Sequence, residues 1–203
     1  MKWESLRSRG WSFNKQPNMN TRFLFMFLFL GMGLSIATRF LPHPPNFVSI
    51  GALSFFVGVY AVKVSRWYLL IPLVVMVVSD MFLGLYDWKI MAVVYMSFLA
   101  TGLIGFLVAR KRNLCTVILG SLGGALLFYL TTNFAVWAFS GMYPLTPAGL
   151  LTSYAMALPF FRNTILGDLF YTGLFFGLYE SILVFPNLLL PFRRGRGFGG
   201  NIV

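Results

Sequence analysis

The chain has 203 residues and a net charge of +11, with 58% hydrophobic, 18% aromatic and 10% charged side chains. A soluble domain carries about 25% charged residues, so a water-facing shell cannot be built around this much apolar surface, and one membrane domain is expected. The sixteen basic residues lie between apolar runs instead of on one amphipathic element, which argues against nucleic-acid binding, and the lone Cys115 excludes an intrachain disulfide or a cysteine zinc cluster.

In chain order, residues 1–21 form a basic segment, residues 22–186 a transmembrane domain and residues 187–203 a basic Gly/Arg-rich tail suited to anionic head groups. The basic start followed by an apolar run resembles a signal peptide. With no A-x-A-like site after the run, it is read as an uncleaved first span. Crossing a hydrocarbon layer of about 30 Å takes about 20 helical residues. Six segments meet or approach that length: Arg22 to Leu41, Phe47 to Val64, Trp67 to Tyr86, Ile90 to Ala109, Leu114 to Phe139, and Thr164 to Phe185.

The first link, Pro42-His43-Pro44-Pro45-Asn46, is expected to be stiff and extended, because each proline fixes its own φ and restricts the residue before it. Before the last span, Thr146 can cap and Pro147 suits a first helical position, while Pro159 signals a stop. A helix from Thr146 to Leu158 reaches only about 18 Å, too short to span. With the N-terminus inside, thirteen basic residues fall on the inner side and only Arg39, Lys89 and Arg162 on the outer side, as cytoplasmic retention of basic residues requires. Trp67 then lies at the inner boundary and Trp88 and Trp137 at the outer one. The expected fold class is therefore all-α: about six transmembrane helices in the inner membrane, both termini cytoplasmic, with a short non-spanning helix before the last span.

Small residues recur four apart at Gly31 and Ser35, Gly33 and Ala37, Gly120 and Gly124, and Gly173 and Gly177, a spacing that lets helices approach closely in lipid. They serve either packing within the bundle or a face offered to a partner. No internal repeat points to an inverted-repeat transporter.

Ionisable groups inside spans are costly and usually face the bundle interior. Asp80 and Asp168 fall in the outer halves of their spans, and Glu180 lies towards the inner end, where Arg22, Lys63 or Arg66 could pair with it. Arg39, His43, Asn46, Thr131, Thr132, Asn133, Arg162 and Asn163 share the outer level with the two aspartates. Two readings stay open: an outward-facing binding pocket built from Arg39, His43, Asn46, Asp80, Asn133, Arg162, Asn163 and Asp168, or ion pairs and an Asn163 cap that only hold the helices in register. A single histidine, His43, does not make a metal site. No phosphate-binding loop is present and no cofactor is indicated.

Three stretches carry a resemblance: Arg39-Phe-Leu-Pro-His-Pro-Pro-Asn-Phe47 with Gly51-Ala52; Leu73 to Gly84 with its Ser79-Asp80 pair; and Thr132-Asn133-Phe134 through Tyr143-Pro144 to Leu158-Pro-Phe-Phe-Arg-Asn-Thr-Ile-Leu-Gly-Asp168. They resemble a family of uncharacterised bacterial integral-membrane proteins over roughly residues 37–178, a likeness that implies no particular activity. More distantly, six helices with an outward polar pocket look like the substrate-binding S components of energy-coupling-factor vitamin transporters. That likeness implies capture of a small, vitamin-like molecule and docking to a coupling subunit through Gly33 and Ala37. A non-catalytic partner or assembly factor is the alternative. A remote third is an intramembrane aspartyl protease, since Leu166-Gly167-Asp168 partly resembles its Gly-x-Gly-Asp motif, with Ile165 where the first glycine is needed.

Overall fold

Backbone N–H and C=O groups in lipid have no water to bond and must find partners within the chain, which favours continuous helix. The computed structural model describes residues 21–194, and among them it is helical, with no strand. The expected basic segment at residues 1–20 and the end of the tail, residues 195–203, lie outside the described residues.

Helix α1 is Thr21–Phe40. Helix α2, Ile50–Phe56, continues through a π-helical turn, Val57–Ala61. A 3-10 turn, Arg66–Leu70, leads into α3, Ile71–Leu83, with proline in its first turn. Helix α4, Trp88–Val108, is capped by Asp87, which accepts from the backbone N–H groups of Lys89 (2.8 Å) and Ile90 (3.2 Å). After a 3-10 turn, Ala109–Lys111, helix α5 spans Leu114–Phe139 and starts with a reciprocal capping box between Asn113 and Thr116. Helix α6 is Pro147–Arg194, 48 residues long.

Four of these stretches, Thr21–Phe40, Arg66–Leu83, Trp88–Lys111 and Leu114–Phe139, are long and apolar enough to cross a membrane. Their outward faces carry large apolar side chains such as Phe29 (69% exposed) and Phe82 (77%). Apolar exposure on this scale is sustained by lipid and not by water. The chain is an integral membrane protein by these criteria.

The segment expected as the second span differs in kind. From Ile50 to Ala61 every residue is buried, and this short apolar helix is about 18 Å long. It is a central post, enclosed by the other helices instead of facing lipid. Glycine permits the enclosure: a Cβ on Gly58 would run into the backbone carbonyl of Gly102 in α4, and one on Gly105 into the carbonyl of Phe55. Below, Phe56 and Tyr60 pack with Tyr179 of α6 at ring-centroid distances of 5.2 and 4.7 Å, and Phe27 of α1 closes the cluster 5.2 Å from Phe56.

The expected short helix ending at Pro159 and the separate last span are one continuous helix. Proline removes one helical hydrogen bond and strains the preceding turn, at about 3 kcal/mol. The first turns of α6 are nevertheless lashed to α5: Tyr129 donates to the Tyr154 carbonyl (2.8 Å), Tyr154 to that of Leu130 (2.9 Å) and Ser153 to that of Asn133 (3.0 Å). Ending the helix would free several carbonyls where one is freed by Pro159, so the stop signal that works in water is overridden.

The small-residue pairs divide. Gly31 and Ser35 face the interior, and Gly120 and Gly124 lie against Phe55 and Thr101, whereas Gly33, Gly173 and Gly177 have nothing within 4 Å of an added Cβ. Thermal unfolding of the purified protein should separate the two sorts. Gly58→Ala is expected to destabilise by at least about 1–3 kcal/mol through overpacking against backbone, while Gly33→Ala stays within about 0.5 kcal/mol.

Candidate functional site

Contacts at the end of the bundle that carries His43 sort the polar residues into two groups. Arg39 closes α1 and reaches α3, donating to Asp80 at 2.6 Å, to the Ser79 hydroxyl at 2.5 Å and towards the Met76 sulfur at 3.0 Å. Tyr95 of α4 donates its phenol to the other Asp80 oxygen at 2.8 Å. Asp80 is 1% exposed, and its charge is matched by a guanidinium and a hydroxyl. This node ties α1, α3 and α4 together.

Asp168 of α6 is 7% exposed and, among the described residues, pairs with no basic side chain. Its carboxylate lies against the start of α2, beside Gly51. A Cβ on Gly51 would collide with that carboxylate, so glycine there is what admits it. The α2 N-cap residue Ser49 does not cap with its side chain, because its hydroxyl is engaged with Ser35 (2.9 Å) and Thr38 (3.2 Å) of α1. An acid from a distant part of the chain thus sits at a helix start, where the helix dipole favours negative charge.

Asp168 also lines a cavity with Asn46, Thr101 and Thr164, walled by Val48, Ile50, Phe98 and Phe128 and floored by Gly51 and Gly124. The recess holds about 340 Å³ of empty space counting the part that opens outward, of which about 30 Å³ can be occupied by the centre of a water molecule. That is room for one or two waters, well below the volume of ligand pockets, about 300–1,000 Å³.

Of the residues expected in one pocket, only Asn46 and Asp168 line this cavity, and none of Asp80's partners does. Asp80 and Asp168, expected in one pocket, have different surroundings. Arg39 belongs to the Asp80 node, and His43 hydrogen-bonds through Nδ1 with the Pro44 carbonyl at 2.8 Å. Asn133 donates back to the Tyr129 carbonyl of its own helix (2.8 Å), and Arg162 is exposed on α6. Asn163 does not cap a helix, because α6 runs through it; its amide donates to the Pro45 carbonyl at 3.0 Å and latches the proline link. Asn46 follows with φ of 65°, a left-handed conformation that asparagine tolerates.

Sequence reasoning missed Thr101, Thr164 and Tyr95. The signal for Thr101 was Ser97 one turn earlier, an i, i+4 polar pair on an otherwise apolar helix. Thr131, expected at the outer level, hydrogen-bonds with Ser97 at 2.7 Å.

The opposite end of the bundle has its own node. Glu180 accepts from Arg112 at 2.9 Å and from the Tyr60 phenol, and the Arg112 guanidinium stacks 4.8 Å from the Tyr60 ring centre. Its partner is thus not Arg22, Lys63 or Arg66, because the turn after α4 carries Arg112 beneath the end of α2.

Removing one member of a buried ion pair strands the other, at about 3–5 kcal/mol. Arg39→Met should lose stability on that scale in thermal unfolding, and Arg39→Met with Asp80→Asn should recover part of it. A double variant no more stable than Arg39→Met alone would contradict the pairing.

No curated protein and no solved structure matches the chain. A family model does match, over residues 17–188, and it takes in the Arg39 to Phe47 link, the Asp80 node and the Asp168 cavity together. The chain belongs to DUF6580, a family of unknown function.

Proposed function

We propose that this protein is a membrane-embedded capture component that takes a small molecule from the outer side of the inner membrane, with six passes and both termini cytoplasmic. The observation that carries the reading is Asp168: a buried carboxylate matched by no basic side chain among the described residues, lining a recess at the end of the bundle where the proline link lies. Buried ionisable groups without a structural counter-charge are functional candidates in membrane proteins. The outward position of that end follows from the distribution of basic residues.

Entry of anything larger than a water or two requires the link to move. Its prolines make it stiff, so it swings as a unit once the Asn163 latch on Pro45 opens. The Arg39 to Asp80 node holds the far wall in place during that motion. The binding set is then Asp168 and Asn46 with Thr101 and Thr164, while Arg39, Asp80, Asn133 and Asn163 act through the frame. Separate surroundings for Asp80 and Asp168 give no support to a protease-like shared proton between them.

Without a phosphate-binding loop, uptake needs energy from a second protein. Gly33 and Ala37 lie exposed on α1, where the likeness to transporter S components puts a docking face. The same exposure favours the second reading, an assembly partner that binds no small molecule.

Native mass spectrometry of the protein released from its own membrane separates these readings. Capture predicts a retained small molecule that Asp168→Asn loses; a stoichiometric protein partner with no small molecule instead favours assembly. The topology has its own test, because Cys115 is the only thiol and is exposed near the start of α5. A membrane-impermeant maleimide should label it in everted inner-membrane vesicles and leave it unlabelled in intact spheroplasts. The reverse pattern overturns the orientation.

A further inference from the structure

We infer that the Asp168 cavity binds one small monovalent cation of sodium size. The inference rests on the reading of this cavity as a binding site, and it names what lies at its base. A carboxylate enclosed by Val48, Ile50, Phe98 and Phe128 has lost much of its hydration, and a buried charge of that kind must be neutralised or paired. Asp80 and Glu180 each have an arginine. Asp168 has none among the described residues.

The other polar groups around it suit a hard cation. Thr101 donates its hydroxyl hydrogen to the Ser97 carbonyl (2.9 Å) and Thr164 to that of Phe160 (3.0 Å). With their protons committed to their own helices, both hydroxyl oxygens are left as acceptors, and the Asn46 carboxamide oxygen is a further neutral ligand. Among the side chains of that set, only the Asn46 amide donates strongly into the space. One carboxylate and neutral oxygens match a single positive charge. Calcium takes six to eight oxygens, commonly from several carboxylates, and no group of three His, Cys, Asp or Glu side chains exists among the described residues to hold a transition metal.

Size agrees with charge. The space that a water centre can occupy, about 30 Å³, accepts an ion with a water or two and excludes an organic cation such as N-methyl-D-glucamine. Gly51 and Gly124 keep that space open, since a Cβ on the first meets Asp168 and on the second meets Thr101.

The test uses the full chain purified in detergent without sodium, its unfolding midpoint followed while N-methyl-D-glucamine chloride is exchanged for sodium chloride at constant ionic strength. A ligand that binds only the folded state raises the midpoint saturably. Sodium is expected to do so in the wild type and to have no effect in Asp168→Asn, and Thr101→Val should raise the half-saturating sodium concentration up to about tenfold. Equal wild-type midpoints in the two salts overturn the proposal, as does a sodium effect retained in Asp168→Asn. If that variant does not fold, Thr101→Val decides: an unchanged half-saturating concentration overturns the site. Native mass spectra of the same preparations keep the two readings apart. A retained organic molecule without a sodium response leaves capture standing and removes the ion; a sodium response without an organic molecule does the reverse.

Discussion

A helix enclosed on every side must have both of its ends satisfied by protein, and in this molecule α2 imposes that requirement on everything around it. Its residues from Ile50 to Ala61 are all buried, so the orphan N–H groups at its start and the carbonyls at its end cannot turn to water. At the start stand Asp168 and the hydroxyl web of Ser35, Thr38 and Ser49. Near the other end stand Tyr60, Glu180 and Arg112. The carbonyls at that end are met by the chain's own next turn, with the Val62 N–H donating to Val57 and those of Val64 and Ser65 to Ala61.

The two acids near the His43 end then take different parts. Asp80 is neutralised by Arg39 and held by Tyr95, which makes it a clamp between three helices. Asp168 sits at a helix start and faces a cavity. The same residue type has an arginine partner in one case and, among the described residues, no basic partner in the other. Close packing reinforces the division. Gly58 and Gly105 let α2 and α4 touch backbone to backbone, which fixes the wall of the cavity formed by Phe98 and Thr101.

Much of the helix layout was legible in the sequence, since Leu114–Phe139 was placed to the residue and α1 to within one. Where reading failed, a rule derived in water met a different solvent. Pro159 ends helices when water can take the freed carbonyls; packed against α5, with Tyr129, Tyr154 and Ser153 bonding across, the helix runs on. The four-residue spacing of small residues likewise showed close-packing potential without its direction. Gly31 and Ser35 turn inwards, while Gly33 and Ala37, only two residues further along, turn outwards.

By itself the sequence determined the apolar, membrane-suited character of the chain, the positions of several of its helices and the cost of burying acids among them, because hydrophobicity and charge are properties of single residues and short runs. Only the tertiary structure decided which acid meets which base, that α2 is the enclosed post, and that Thr101 and Thr164 join Asp168 at one cavity. Those facts depend on which helices are neighbours and how each is rotated about its axis. In an almost uniformly apolar chain, amphipathic contrast is too weak to announce that rotation, and it is set by where backbones can touch.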